Sequence, residues 1–314
     1  MAKRNPSAVV ASAEVEGVMV KIPGTDVSML ARRERGPDVP QARPYVFDPV
    51  QVRQVSVGVR LGMNIALTGP TGCGKTTLPL ALASVLNWPV VRFNCHGETR
   101  VSNMVGLDRP AAKDGVLTLQ FSERALLRAM RDGYWVVFDE IDAAAAPVLF
   151  VLQSVLEEGN RRVFIPELDA EVVAAPGFQV FATGNTLGYR NSTRSAHAGT
   201  NPVNDAFLDR FGMVIGCDYP AKDEEVARVS ANVPDCPRMI VEAICRVASE
   251  LRQDTKFRSD FSTRRCVQWA RLVPELGGPA AIFEAADCAV TRKMKNAGDI
   301  AVFKEILQRI CGGG

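Results

Sequence analysis

The chain has 314 residues and is 47% hydrophobic, so it can bury one large core or two unequal cores without the help of disulfides. Its 37 basic and 35 acidic residues nearly balance, which argues against a basic track for nucleic acid and against attraction to an anionic membrane. No apolar stretch reaches the roughly 18 residues that a membrane-spanning helix needs, and no signal peptide or CxxC pair is present, so we predict a cytoplasmic protein with reduced cysteines.

The predicted elements divide the chain into three regions. Residues 1–44 mix proline, glycine and charge, and we expect a partly ordered lead-in there. Apolar runs at 64–68, 90–94, 134–139 and 179–183 alternate with helical stretches, which predicts a parallel sheet wrapped by helices over residues 45–218. From residue 219 to residue 314 only helical patterns occur. The predicted fold is therefore an α/β three-layer αβα core followed by a small all-α lid domain.

A glycine-rich loop follows the first predicted strand and precedes a helix, and it fits the pattern GxxxxGK[ST]. Its glycines allow backbone N–H groups to turn toward phosphates, and the following helix directs its positive end at them. We expect Lys75 to contact the phosphates of ATP and the Thr76 hydroxyl to bind Mg²⁺. The predicted nucleotide-binding residues are Gly69, Pro70, Thr71, Gly72, Cys73, Gly74, Lys75, Thr76 and Thr77.

The apolar run at 134–139 ends in two acids, Asp139 and Glu140. This arrangement predicts that Asp139 holds Mg²⁺ through water and that Glu140 orients and deprotonates the water that attacks ATP. An acidic pair at the end of a strand is by itself often structural. Its position downstream of the glycine-rich loop favours the catalytic interpretation.

Three further residues are candidates for contact with the phosphates. Asn185 follows the run at 179–183 and is a candidate sensor of the γ-phosphate, or else a turn residue. Arg210 ends an amphipathic segment and is a candidate for contact with the nucleotide of a neighbouring subunit, or else for a surface ion pair with Asp209 or another acid. Arg264 opens a helix of the lid, with Arg265 as the adjacent alternative.

This ordered series of motifs resembles the AAA+ ATPase family over roughly residues 45–275. Insertions at 108–121 and 161–175 read as two hairpins and resemble those of the MoxR branch. The order and spacing of several further stretches are similar to the CobS-type ATPase subunit of aerobic cobalt chelatase. Those stretches are 45–49, 86–89, 137–142, 151–157 and 181–186.

The resemblance implies a hexameric ring that hydrolyses ATP to remodel a partner, usually a protein with a von Willebrand A domain, with metal insertion as one outcome. The hairpins would line the ring and touch substrates, and Arg264 would face either its own nucleotide or a neighbour's. The loop at 187–204 departs from the chelatase pattern. An alternative is therefore a phage- or nucleic-acid-associated P-loop motor, whereas the lid and Arg210 disfavour a metabolic kinase.

Overall fold

The structure is a computed structural model that describes residues 15–113, 116–185 and 205–312. Its strands are Gly17–Lys21 (β1), Ser28–Arg32 (β2), Ile65–Thr68 (β3), Val90–Asn94 (β4), Gly106–Lys113 (β5), Val116–Glu123 (β6), Trp135–Asp139 (β7), Arg162–Ile165 (β8), Ala170–Val173 (β9), Gln179–Gly184 (β10) and Met213–Gly216 (β11). Its α-helices are Pro49–Arg60 (α1), Thr77–Val85 (α2), Val101–Met104 (α3), Ala125–Asp132 (α4), Ala146–Val155 (α5), Asp205–Leu208 (α6), Lys222–Asn232 (α7), Arg238–Gln253 (α8), Thr263–Glu275 (α9), Ile282–Ala289 (α10) and Ala297–Cys311 (α11).

The start of α1 illustrates how local sequence sets an element boundary. The Asp48 carboxylate precedes the helix and accepts a hydrogen bond from the Val50 N–H at 2.8 Å. Pro49 begins the helix, where a missing N–H leaves no hydrogen bond unmade. These signals are local, so the sequence itself indicates where this helix begins.

The central sheet has five parallel strands in the order β11–β3–β10–β7–β4. Alternate residues of its strands enter two different apolar clusters. On β7, Trp135 and Val137 pack in the cluster that includes α1 and α2. Val136 and Phe138 pack in the cluster that includes α4 and α5. Helices therefore cover both faces, which confirms the predicted three-layer αβα core.

The helices α7 to α11 form a separate apolar cluster beyond the sheet. Trp269 is fully buried there, contacts Phe303 edge-to-face with ring centroids 5.8 Å apart, and donates from its indole nitrogen to the Ile282 carbonyl at 3.0 Å. The predicted all-α region is confirmed. The boundaries at residues 44 and 218 stay predictions.

Residues before α1 include an antiparallel hairpin of β1 and β2. The sequence indicates only an alternating run at 15–22, so it misses β2. Ile22, Met29 and Ala31 are buried in the cluster that includes α1 and α2. The Trp88 indole nitrogen also donates to the Leu30 carbonyl at 2.9 Å. The described part of the lead-in thus packs on the αβα core.

The sequence also misses β11, the edge strand next to β3. Only Ile215 of its four residues is buried, so the apolar run is too short to predict a strand.

Both predicted hairpins are confirmed as antiparallel pairs, β5 with β6 and β8 with β9. The loop at 187–204 lies outside the described residues. None of the helices in the described ranges contains an apolar stretch that could span a bilayer.

Candidate functional site

The glycine-rich loop connects β3 to α2, and its carbonyl groups surround the Lys75 ammonium. Lys75 Nζ donates to the carbonyl oxygens of Gly69 and Pro70, each at 2.8 Å. Gly69 has a φ of 149°, and a β-carbon there would lie 2.0 Å from the Cys217 carbonyl oxygen. Only glycine fits this position, so the close approach of the residue that follows β11 fixes where the loop begins.

The Asp139 carboxylate lies at the carboxyl end of β7 and accepts from donors on three other elements. Thr76 Oγ1 donates to Asp139 Oδ1 at 2.6 Å, Thr183 Oγ1 donates to the same oxygen, and Arg92 forms an ion pair with Oδ2. Burial raises the pKa of Asp139, but the hydrogen bonds from Thr183, Thr76 and Arg92 outweigh it and hold that pKa below its usual range. The carboxylate is therefore ionised at neutral pH.

Glu140 adopts the left-handed backbone conformation, with a φ of 56°. This conformation costs a residue with a side chain about 1 kcal/mol, so the surrounding structure must hold it. The Glu140 N–H donates to Thr183 Oγ1 at 3.2 Å, and the Glu140 side chain is exposed to the same cleft that Lys75 and Asp139 line. The strained turn thus redirects the chain at the end of β7 and leaves the carboxylate accessible.

Asn185 follows β10, the strand that lies between β3 and β7. Its side-chain oxygen accepts a hydrogen bond from Lys75 Nζ at 2.9 Å. Its backbone N–H donates to the buried Asp142 carboxylate at 3.0 Å. Asn185 therefore lies beside the lysine of the glycine-rich loop, and Asp142 fixes its position.

These groups line one cleft of about 920 Å³ at the carboxyl ends of the parallel strands, where open α/β sheets bind ligands. The lid contributes Arg264 at the start of α9, and a β-carbon on Gly72 would lie 3.7 Å from that of Arg264. Arg265 does not line the cleft, and its guanidinium lies 6.0 Å from the centre of the Phe261 ring. Of the two arginines, the structure thus brings Arg264 to the cleft of its own chain.

Arg210 lies away from this cleft, at the opposite end of the sheet, where the parallel strands begin. Its carbonyl accepts a hydrogen bond at 2.8 Å from Asn64, which precedes β3, whereas the glycine-rich loop follows β3. Its guanidinium donates to the Ala206 carbonyl at 2.7 Å. Among the described residues it forms no ion pair with Asp209. The structure therefore separates Arg210 from every other predicted site residue of the same chain.

Asn64 is fully buried and joins neighbouring segments at the start of β3. Its amide nitrogen donates to the carbonyls of Leu156 and Arg210, and its amide oxygen accepts from Arg161 at 2.8 Å. We expect Asn64→Ala to lower the free energy of unfolding by roughly 2–4 kcal/mol, because it leaves buried groups without partners. Urea denaturation measures this change. The exposed Asn160→Ala is the control, and equal stabilities of the two variants would contradict the expectation.

Comparison with known proteins identifies the family. The AAA domain of the dynein-related subfamily matches residues 64–211. The aerobic cobaltochelatase subunit CobS of Sinorhizobium sp. is 32% identical over an alignment of 274 residues that covers 84% of this chain and 80% of CobS. The chain belongs to the CobS-type AAA+ ATPases. It is accordingly an ATP hydrolase that binds nucleotide, as the sequence predicts.

Two other similarities are more limited. Midasin of Giardia intestinalis is 31% identical over 169 residues, which are 54% of this CobS-type ATPase but 3% of midasin. A solved variant of RuvB from Thermotoga maritima superposes with a TM-score of 0.48 at 14% identity, covering 75% of this chain and 67% of RuvB.

The donor set of this CobS-type ATPase fits a magnesium ion. Thr76 Oγ1 and Asp139 Oδ1 are 2.6 Å apart and both line the cleft. Mg²⁺ prefers oxygen ligands, and in nucleotide sites it takes one or two of them from protein and the rest from phosphates and water. Within the described ranges, no group of three or more His, Cys, Asp or Glu side chains forms a different metal site.

Sequence reasoning misses two charged groups of this CobS-type ATPase site. Arg92 pairs with Asp139, and Asp142 accepts from the Asn185 N–H. A charge within the apolar run of β4 is a signal that could have indicated Arg92. Asp142 belongs to a stretch that resembles CobS, but its contact across the sheet has no local signal.

Cys73 is buried, and burial raises the pKa of its thiol, so its simplest role is to fill space.

Proposed function

We propose that this chain is a MoxR/CobS-type motor whose ATP is hydrolysed between two protomers of a homohexameric ring. The observation that carries this proposal is the separation of Arg210 from its own cleft. Lys75, Glu140 and Asn185 line one cleft, while Arg210 lies beyond the other end of β3. A second protomer is needed to bring an arginine to the phosphates, so catalysis requires assembly.

Each residue of the cleft has a proposed role in the reaction. Lys75 neutralises charge on the phosphates, and Asn185 contacts the γ-phosphate. Glu140 accepts the proton of the attacking water. Arg264 contacts the nucleotide of its own protomer, because it lines that protomer's cleft. Arg210 stabilises the charge of the transition state in the neighbouring protomer.

Thr76 and Asp139 are the proposed magnesium ligands, with Asp139 acting through water. The ion, when bound, supplies positive charge to the β- and γ-phosphates. Arg92 keeps the Asp139 carboxylate ionised and oriented, because it pairs with the oxygen that does not bond Thr76.

Replacement of Lys75 tests the nucleotide-binding part of the proposal. We expect Lys75→Ala to weaken ATP binding about 10- to 100-fold, because a charged hydrogen bond contributes about 1.5–3 kcal/mol. Titration with a fluorescent ATP analogue measures the affinity. Lys256→Ala removes an exposed lysine of the lid and serves as the control. An unchanged affinity of the Lys75 variant would show that the loop does not hold the phosphates.

The two hairpins are the proposed contacts with the remodelled protein. Leu117 and Leu119 on β6 are 77% and 71% exposed, and Phe164 on β8 is 53% exposed. Exposed large apolar side chains favour contact with another polypeptide. In the proposed ring these hairpins face the substrate.

The proposed partner is a protein that carries a von Willebrand A domain, as the similarity to CobS suggests. Metal insertion is the proposed outcome when the partner holds a corrin. The proposed location is a reducing cytoplasm, because the described cysteines are free and mostly buried. The test is to add purified von Willebrand A proteins from the same genome and to measure ATP turnover and cobalt insertion. Stimulation by DNA or RNA instead would favour a nucleic-acid motor.

A further inference from the structure

A hydrogen bond joins the glycine-rich loop to the first segment of the lid. The Tyr219 hydroxyl donates to the carbonyl oxygen of Thr71 at 2.9 Å. Tyr219 lies between β11 and α7, where the chain leaves the sheet and enters the lid. The loop therefore makes a direct polar contact with the connection between the two packed regions.

The ring of Tyr219 continues this contact into the lid. The guanidinium carbon of Arg252 lies 4.0 Å from the centre of that ring. The same guanidinium donates to both carboxylate oxygens of Glu225, at 2.7 and 2.8 Å, and its Nε donates to the Phe261 carbonyl at 2.8 Å. Planar guanidinium geometry suits such simultaneous stacking and two-point pairing.

The network ends at the helix that carries Arg264. The Glu225 carboxylate accepts a hydrogen bond from Thr263 Oγ1 at 2.7 Å, and Thr263 is the first residue of α9. Next to it, a β-carbon on Gly72 would lie 2.6 Å from the Ser262 β-carbon. The glycine-rich loop and the start of α9 are thus in contact both directly and through the Tyr219–Arg252–Glu225 network.

Stability alone is a weak reason for this network. Glu225 is 1% exposed, and burying an ion pair costs desolvation that its attraction barely repays. A well-packed apolar cluster of the same volume would serve the lid as well or better. A buried polar network whose members are satisfied does, however, hold its members in one geometry. The feature that this geometry fixes is the distance between the glycine-rich loop and Arg264.

We propose that Tyr219, Arg252 and Glu225 are positioning residues that hold Arg264 at a fixed distance from the glycine-rich loop. They act through Arg264, so the inference rests on the proposed role of Arg264 in ATP turnover. When the loop contacts the phosphates, the Thr71 carbonyl and the Tyr219 hydroxyl keep the start of α9 at the distance that the arginine needs.

A double-mutant cycle of Tyr219→Phe and Arg264→Ala tests the proposal in the assembled protein. Tyr219→Phe removes only the hydroxyl and keeps the ring beside Arg252. We expect it to lower kcat three- to tenfold with a less than twofold change in KM for ATP. In the Arg264→Ala background the same change is expected to alter kcat less than twofold, because coupled residues are not additive.

The outcomes separate the inference from the proposed function. Equal effects of Tyr219→Phe in both backgrounds, or no effect in either, would overturn the positioning role while Arg264 kept its own. An Arg264→Ala variant with wild-type turnover would overturn the role of Arg264 itself, and the inference with it.

Thr263→Val, which breaks the last bond of the network, is expected to behave as Tyr219→Phe does. Tyr134→Phe, outside both cleft and lid, is the control with unchanged kcat, and thermal unfolding verifies that all variants fold.

Discussion

Replacement of Glu140 by glutamine is expected to reduce ATP turnover by about 10²- to 10⁴-fold while ATP binding stays within about twofold of wild type. The amide keeps the size and hydrogen-bonding reach of the side chain but cannot accept a proton from water. The backbone at Glu140 is held by Thr183, so the substitution leaves the cleft in place. Binding and catalysis therefore separate in this variant.

The measurement combines phosphate release with titration of a fluorescent ATP analogue on the same preparation. Glu157→Gln makes the same chemical change at an exposed position after α5 and is expected to be active. Turnover by the Glu140 variant at the rate of this control would exclude Glu140 as the general base.

The second large effect concerns Arg210. We expect Arg210→Ala to reduce ATP turnover on the order of 10³-fold or more, as loss of an arginine finger does in related phosphoryl-transfer sites. ATP binding to the same protomer is expected to stay unchanged, because Arg210 does not line its own cleft. Arg60→Ala, which removes an exposed arginine at the end of α1, is the control for a loss of charge.

Mixing two inactive variants tests whether Arg210 acts on a neighbour. An Arg210→Ala protomer has an intact cleft, and a Glu140→Gln protomer has an intact Arg210. When they are mixed in equal amounts, about a quarter of the contacts in random rings pair the intact cleft with the intact arginine. Phosphate release should therefore recover in the mixture. Mixed rings that remain inactive would refute action between protomers.

The sequence predicted those parts of the site that lie at the ends of regular elements. Lys75, Thr76 and Asp139 follow or precede runs whose period indicates a strand or a helix, and parallel strands bring such ends together. Asn185 is predicted for the same reason, and its side-chain oxygen lies 2.9 Å from Lys75 Nζ.

Other contacts were beyond sequence reasoning because they depend on which strands are neighbours. Arg92 reaches Asp139 only because β4 pairs with β7 in the sheet. Tyr219 reaches Thr71 only because β11 lies beside β3. The edge strand itself was missed, since β11 buries one residue of four. Local patterns give elements and their ends, whereas partners across the sheet come from packing.

The strand β3 affects how ATP hydrolysis in one protomer would influence the neighbouring protomers. The loop that holds Lys75 begins at one end of β3, and the Asn64 contact with Arg210 lies at the other, about 13 Å away. In the proposed ring, a stiff strand thus separates the place where a protomer binds its own ATP from the place where it would present Arg210 to the next protomer. In the proposed ring this asymmetry gives communication a direction, so that hydrolysis in one protomer influences its two neighbours unequally.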